Sequence, residues 1–247
     1  MTVLITGGSK GVGRACALRF ATPGRDVFIN YHADDSAAAT AAAAVRERGA
    51  QPHLLQADLS TPDGMHSMMD GVAAKADHLG VVVHCAVDTS AVGGALDVDP
   101  RAFAAALQCN GIAVLTLTQL ALPLLRRGSS IVFVTSHGAP APVPGYVGVG
   151  APKALGEVLA KYLAVELPPL GIRANCVMGS AMDTAAISSA LAPGAAEERL
   201  RVAARDNPSG RRIEIDELVD AIEFLCSDRA TMIQGQRLVV DGGYYLR

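Results

Sequence analysis

The sequence predicts an α/β domain in which a mostly parallel sheet of seven strands carries helices on both faces. Short apolar runs rich in valine, isoleucine and leucine alternate with longer segments of helical pattern along the whole chain. The runs are nearly continuous, which is typical of strands covered on both faces, and their alternation with helices favours parallel βαβ units. No linker, repeat or block of charge divides the 247 residues, so we expect one doubly wound domain spanning residues 1–247.

The elements follow in a regular order. The predicted strands are TVLIT, DVFINY, PHLLQA, VVVHCAV, SSIVFVTS, RANCVM and RLVVD. A helix is predicted in DDSAAATAAAAVRERG, which has polar capping residues in front and Gly49 as a stop. The other helices are predicted to begin near Val12, Pro62, Arg101, Asn110, Lys153, Ala195 and Asp216. Three glycines and Pro152 argue against a regular helix before Lys153, so we expect Pro152 in a first helical turn.

The segment 179–212 has the weakest pattern in the chain. It follows the sixth strand, on the side of such sheets where ligands dock, and we expect it to form a substrate lid. Its arginines are candidates for receiving an acidic carrier protein or a coenzyme A phosphate, although solvated helix faces often look the same. They are Arg199, Arg201, Arg205, Arg211 and Arg212.

Composition narrows the class of protein. Basic and acidic residues are mixed and the formal net charge is −3, which argues against a nucleic-acid partner. No apolar run approaches the roughly 18 to 20 residues of a membrane span. The five cysteines and six histidines are dispersed, so neither a disulfide framework nor a metal site is expected. The chain opens directly into an apolar strand with no charged leader, and we expect a cytoplasmic protein.

A glycine-rich loop, TGGSKGVG, follows the first strand and opens the first helix. Glycines at this place let the backbone approach a pyrophosphate, which the helix N-terminus stabilises through its free N–H groups. In a βαβ unit this pattern predicts a Rossmann-type dinucleotide site. The contacting residues are expected to be Gly7, Ser9, Lys10, Gly11, Val12 and Gly13.

The end of the second strand indicates which dinucleotide binds. NAD usually requires a carboxylate there to accept from the ribose 2′-OH, whereas this strand ends in Asn30, Tyr31 and His32. Lys10 is suited to a 2′-phosphate, or is simply a solvated loop lysine. We therefore expect NADP(H).

A pair of residues just after the third strand is also expected to contact the cofactor. Asp58, with Leu59 beside it, is placed to accept from the adenine amino group. A helix cap is an equally good explanation of this aspartate.

Several motifs resemble the short-chain dehydrogenase/reductase family in order and spacing over the whole chain. They are TGGSKGVG, ADL, Asn110, Ser136, Lys153 and GQRLVVDGG. The chain is similar in particular to the branch that contains enoyl-acyl-carrier-protein reductase III, whose members carry a tyrosine, six intervening residues and a lysine. Tyr146 and Lys153 match that spacing, and Val149 stands where most relatives have the tyrosine. GSAMDT replaces the usual proline–glycine turn.

The resemblance implies roles for these residues. Tyr146 is expected to stabilise the oxygen that becomes anionic, Lys153 to bond the nicotinamide ribose, Asn110 to hold a proton path, and Ser136 to line the pocket or hold a carbonyl. Thr184 is expected to bond the cofactor. The segment His84-Cys85-Ala86-Val87 departs from the family's asparagine–asparagine–alanine–glycine, with Cys85 and Ala86 in the cofactor pocket. A homotetramer is expected by the same analogy.

The tyrosine spacing favours one reaction over two alternatives. In an enoyl thioester, hydride enters at the β-carbon while negative charge collects on an oxygen several bonds away, and a phenol set back by three residues is suited to that oxygen. The expected substrate is thus an enoyl thioester of acyl carrier protein or coenzyme A. A ketoreductase or tailoring reductase of a small carbonyl or enone, and a non-catalytic NADP-binding protein, are the alternatives.

Overall fold

The computed structural model describes residues 2–246, which form a seven-stranded sheet in the order β3-β2-β1-β4-β5-β6-β7. Every neighbouring pair is parallel, so the predicted α/β class is confirmed, with the sheet wholly rather than mostly parallel. The strands are Val3–Thr6 (β1), Asp26–Tyr31 (β2), Gln51–Gln56 (β3), Leu79–His84 (β4), Leu125–Ser136 (β5), Arg173–Gly179 (β6) and Arg237–Val240 (β7).

Helices cover both faces of this sheet. They are Gly11–Phe20 (α1), Asp35–Glu47 (α2), Pro62–Ala73 (α3), Pro100–Leu107 (α4), Ala113–Ala121 (α5), Val147–Glu166 (α6), Ala185–Ala190 (α7), Ala195–Arg205 (α8) and Ile215–Cys226 (α9). Side chains of β1 alternate between two apolar cores, because successive strand residues point to opposite faces. Leu4 joins a core with α3, α5 and α6, whereas Val3 and Ile5 join a core with α1 and α9.

The chain order of the sheet reverses direction between β1 and β4, which are hydrogen-bonded neighbours. In open parallel sheets, ligands bind in the crevice outside the carboxyl ends of the strands at such a reversal. The fold therefore directs the loops after β1, β4, β5 and β6 toward one site.

The helix predicted near Arg101 is confirmed, but the separate helix start predicted at Asn110 is wrong. Helix α4 starts at Pro100, where the Asp99 carboxylate accepts from the backbone N–H groups of Arg101 and Ala102. Asn110 is not the start of a helix but lies in a π-helical turn, Gln108–Ile112, between α4 and α5. The stretch Pro100–Leu124 is long and apolar enough to cross a membrane, but 50% of its most apolar window is buried inside the protein, as in an ordinary core helix.

The prediction that regular helix begins only near Lys153 is wrong, since α6 begins at Val147. Pro152 lies inside this helix and cannot donate to the carbonyl four residues earlier, which belongs to Gly148. That carbonyl accepts instead from the Asn110 side chain, at 3.1 Å. The glycine at 148 is required by close packing, because a Cβ there would lie 2.2 Å from the Ala91 carbonyl oxygen. Tertiary contacts thus stabilise a turn that helix propensity disfavours.

Candidate active site

A cavity of about 400 Å³ lies at the carboxyl ends of the strands. Its walls come from the glycine loop, the ends of β4, β5 and β6, the start of α6, and the segment 179–199. It brings together eleven of the residues predicted from sequence, which are Gly7, Lys10, Gly11, Val12, Gly13, Cys85, Ala86, Ser136, Tyr146, Lys153 and Thr184. Residues far apart in the chain therefore share one site.

The glycine loop forms a tight cradle at one end of the cavity. Gly7 has φ +60°, a conformation that side chains disfavour, and a Cβ on Gly13 would lie 2.2 Å from the Gly7 carbonyl oxygen. The methyl group of Thr184 lies 3.5 Å from where a Gly11 Cβ would stand, so the segment after β6 covers the loop. A loop of glycines at a helix N-terminus, covered by the segment after β6, fits a pyrophosphate.

A shallower groove continues from the glycine loop along the start of α2. Lys10 forms an ion pair there with Asp34, whose carboxylate also accepts from the Ala37 N–H at the start of α2. Arg14, which the sequence reasoning missed, lines the same groove together with Ser9. Two cations against one carboxylate leave this groove with a net positive charge, which suits a phosphate.

Tyr146 lies immediately before the first residue of α6, and its ring enters the cavity. The ring packs against Gly138, where a Cβ would come within 2.7 Å of it. The Ser136 hydroxyl donates to the Tyr146 hydroxyl at 3.4 Å, and the Gly138 N–H donates to Ser136 at 3.2 Å. Burial raises the pKa of the Tyr146 phenol, so the group is protonated and able to donate.

Lys153 lies two turns further along α6 and is 4% exposed. Its Nζ donates to the Val134 carbonyl at 2.8 Å and stands 4.5 Å from the centre of the Phe133 ring. Burial lowers the pKa of Lys153 to about 8. An ammonium held with a single backbone acceptor has further donor capacity toward a group in the cavity.

Comparisons with known proteins assign this arrangement to a family. Residues 7–245 match the family model described as enoyl-(acyl carrier protein) reductase. A 1-cyclohexenylcarbonyl-CoA reductase of Streptomyces collinus is 34% identical over 97% of this chain and 85% of its own length. The chain belongs to the short-chain dehydrogenase/reductase family. It is therefore an oxidoreductase by family, and the predicted resemblance is confirmed.

Two solved structures extend the comparison. The angucycline C-6 ketoreductase LanV with bound NADP has a TM-score of 0.88, with 26% identity over 100% of this chain and 96% of that one. A short-chain dehydrogenase from Burkholderia cenocepacia in complex with NADP has a TM-score of 0.86, with 30% identity over 98% and 96% of the two chains. Proteins similar to this chain thus include both a reductase of an enoyl-type CoA thioester and a ketoreductase.

In this short-chain dehydrogenase/reductase, His84 is the last residue of β4 and replaces the first asparagine of the family's asparagine–asparagine–alanine–glycine segment. The N–H groups of Cys85 and Ala86 donate to the Thr6 hydroxyl, which therefore donates its own hydrogen to His84 Nδ1, at 2.7 Å. Nε2–H then donates to the Cys109 carbonyl at 3.1 Å. Burial lowers the pKa of His84 to about 3, so the ring is neutral. His84 ties β1, β4 and the π-helical turn together and is structural.

Asn110 is fully buried in the π-helical turn and does not line the cavity. Its amide donates to the carbonyls of Asp88 and Gly148, and its Oδ1 accepts from the Asp88 N–H. Both amide hydrogens are bonded to backbone, so this side chain positions the loop after β4 and the start of α6. Its predicted part in a proton path stays a prediction.

Five predicted cofactor residues line neither the cavity nor the groove, namely Asn30, Tyr31, His32, Asp58 and Leu59. Asn30 is 2% exposed, and its amide accepts from the Gly7 N–H while donating to the Leu55 and Ala57 carbonyls. It positions the glycine loop rather than facing a ligand. Asp58 accepts from the N–H and hydroxyl of Ser60 in the turn before α3, whereas the residue that caps α3 is Thr61, so the expectation that Asp58 caps a helix is wrong.

Ser180, in the GSAMDT segment, is a residue whose role the sequence reasoning missed. It lines the cavity and is 6% exposed, and its hydroxyl has no hydrogen-bond partner among residues 2–246. Buried hydroxyls are normally bonded, so this one fits a polar ligand group beside the glycine cradle. Together, the cradle and the unpartnered hydroxyl fit the dinucleotide that the sequence predicts. The sequence feature that pointed to Ser180 was GSAMDT, which stands where most of the family has a proline–glycine turn.

Proposed function

We propose that the protein is an NADPH-dependent reductase of the carbon–carbon double bond of enoyl thioesters carried on coenzyme A or acyl carrier protein. The similarity to a 1-cyclohexenylcarbonyl-CoA reductase and to the enoyl-(acyl carrier protein) reductase family supports this choice. The observation that carries it is the placement of Tyr146 and Lys153 in one cavity with Val149 between them.

The helical geometry explains how a tyrosine at this spacing serves the site. Three residues of α-helix advance about 4.5 Å and turn through about 300°, so positions 146 and 149 lie on nearly the same face, one turn apart. Tyr146 and Val149 both line the cavity, and Val149 carries no group that can donate a proton. The backbone origin of the phenol is therefore set back along α6 by about one turn from position 149, in the direction away from Lys153.

The residues that would hold NADPH are the glycine loop, Lys10, Arg14, Lys153, Ser180 and Thr184. Lys10 and Arg14 suit the 2′-phosphate, and Lys153 suits the nicotinamide ribose. The cofactor, when bound, supplies hydride to the β-carbon of the substrate. Solved relatives that contain NADP support the choice of dinucleotide.

The protein's own groups complete the reaction. As the β-carbon is reduced, the thioester oxygen gains negative charge, and the Tyr146 hydroxyl donates to that oxygen. Ser136 orients the phenol from one side and Gly138 fixes the ring from another. The positive charge of Lys153 stabilises the developing anion in a largely apolar cavity.

A substrate comparison tests the proposal. We expect purified protein to oxidise NADPH faster with crotonyl-CoA than with acetoacetyl-CoA. Tyr146→Phe is expected to lower the rate of crotonyl-CoA reduction by about 100-fold or more while retaining NADPH affinity. A positioned general acid typically accelerates a reaction by roughly 10²-fold to 10⁴-fold. The matched control is Tyr162→Phe on the exposed side of α6, where the side chain is 67% exposed. Equal rates for Tyr146→Phe and wild type would remove Tyr146 from the mechanism.

One observation favours a second candidate, a ketoreductase. The Ser136–Tyr146 hydroxyl pair could hold a substrate carbonyl directly, and the LanV ketoreductase has the same fold. Faster reduction of acetoacetyl-CoA than of crotonyl-CoA would favour this candidate.

The expected homotetramer also stays a proposal. Val158, Tyr162 and Val165 recur at helical spacing along α6 and are 48%, 67% and 79% exposed. An apolar stripe of this kind supports burial against a second copy. Light scattering on the purified protein tests it, with a tetrameric mass expected.

A further inference from the structure

The arginines of the segment 179–212 differ in their partners. Arg201 pairs with Glu198 at 2.7 Å, Arg211 with Glu217 at 2.5 Å, and Arg212 with Asp183 at 3.7 Å. Arg205 pairs with the adjacent Asp206. These four pairs balance most of the positive charge that the sequence places on the outer surface of the segment.

Arg199 is the exception within this group. Among residues 2–246 no carboxylate lies within ion-pair distance of its guanidinium. It donates instead to the Tyr244 hydroxyl at 3.1 Å and lies 3.4 Å from His137 Nδ1. Its guanidinium also lies 5.5 Å from the centre of the Tyr244 ring. Neutral partners thus hold an uncompensated cation in place.

The side chain of Arg199 lines the same cavity as Ser136 and Tyr146. The cavity lining contains three cations, Lys10, Lys153 and Arg199, and no aspartate or glutamate. Lys10 belongs to the glycine-loop end, and Lys153 is bonded beneath α6 to Val134. The charge of Arg199 also acts on the Tyr146 phenol, where it opposes the rise in pKa caused by burial.

A cation without a counter-ion in an apolar cavity is stabilised by an anion that enters from outside. The two lysines are accounted for by the cofactor phosphates and ribose in the proposed function. Arg199 is then the cation left in the cavity to receive a negative group that the substrate carries or that forms on it during the reaction.

We infer that Arg199 is a specificity-determining residue that binds the substrate's acyl oxygen opposite Tyr146 and stabilises it as it becomes an enolate oxygen. This inference rests on the proposed function. Hydride from NADPH bonds to the β-carbon, the alkene electron pair moves to the bond between the α-carbon and the carbonyl carbon, and the carbonyl π pair moves to oxygen. A proton from solvent then returns to the α-carbon as the carbonyl reforms, giving the saturated thioester and NADP⁺.

A carboxylate reproduces the enolate's negative oxygen, so it serves as a direct probe. We expect calorimetric titration of the NADP⁺-loaded protein to show that trans-2-hexenoate binds at least about tenfold more tightly than trans-2-hexenamide, a difference of roughly 1.4 kcal/mol. Arg199→Gln is expected to abolish this preference, and Arg199→Lys to retain part of it. Arg201→Gln, which removes the same charge from the same helix but outside the cavity, is the matched control and should keep the preference.

Kinetics separate this role from a structural one. If Arg199 only fastens α8 to the C-terminal tail, Tyr244→Phe and Arg199→Gln will behave alike. We expect instead that Tyr244→Phe keeps the carboxylate preference, whereas Arg199→Gln lowers kcat for crotonyl-CoA more than it raises KM, because the interaction strengthens as charge develops.

The outcomes distinguish this inference from the proposed function. Equal binding of hexenoate by wild type and Arg199→Gln would overturn the inference and leave enoyl reduction standing. An Arg199-dependent carboxylate preference in a protein that does not reduce crotonyl-CoA would overturn the proposed thioester while supporting the anion site. NADPH-dependent reduction of trans-2-hexenoate itself would assign that site to a free acid.

Discussion

The two ends of the active-site cavity are built in different ways. At the glycine-loop end, backbone groups form the surface, and buried side chains such as Asn30 and His84 hold that backbone from behind. At the substrate end, side chains from separate elements form the surface, among them Ser136, Tyr146 and Arg199. The first end therefore depends on close backbone packing, whereas in the proposed function the second end carries the groups that distinguish one substrate from another.

Removal of a buried support should have the largest effect on stability at the cofactor end. His84→Ala deletes a ring with two hydrogen bonds and leaves a cavity beside Phe133, so we expect a loss of about 3 to 5 kcal/mol in the free energy of unfolding. His84→Asn, which restores the family's residue, should lose less. Urea denaturation followed by circular dichroism measures both variants, with His66→Asn on the exposed face of α3 as control.

The same residue predicts a pH dependence. The pKa of His84 is about 3 in the folded chain and ordinarily 6.5, so between these values the unfolded chain binds a proton that the folded chain does not. Stability from this group is complete above pH 6.5 and is lost as the pH falls toward 3. We expect His84→Asn to be less sensitive to acid than wild type, and equal acid sensitivity would contradict the neutral, buried ring.

Lys153 lies between the two ends of the cavity. Loss of its proton should lower the reduction rate gradually as the pH rises. Burial lowers its pKa to about 8, so its positive charge is lost as the pH rises through that value. We expect the rate of crotonyl-CoA reduction to fall by up to about tenfold per pH unit above it, whereas the phenol of Tyr146 stays protonated. A pH–rate profile measured at saturating NADPH tests this prediction. A rate that stays flat to well above pH 9 would show that the charge of Lys153 is not required.

The difference between the two ends also explains what could be predicted from sequence. Strands, the glycine loop and the spacing of Tyr146 and Lys153 are local patterns, and the structure places them as expected. The early start of α6 was missed because the group that satisfies Gly148, the amide of Asn110, lies 38 residues away in the chain. The direction of Arg199 depends on Tyr244, which is 45 residues away, so sequence showed only a cluster of arginines.

The position of the phenol along α6 is the central element of the proposed function, and moving it is the most direct test. The measurement is the ratio of kcat/KM for crotonyl-CoA to that for acetoacetyl-CoA, in wild type and in the double variant Tyr146→Phe/Val149→Tyr. NADPH binding, followed by fluorescence, confirms that the cofactor end is intact. We expect wild type to favour crotonyl-CoA and the variant to shift the ratio toward acetoacetyl-CoA by at least about tenfold, or roughly 1.4 kcal/mol. A wild-type preference for acetoacetyl-CoA, or an unchanged ratio in an intact variant, would contradict the assignment of the displaced phenol to an enolate oxygen.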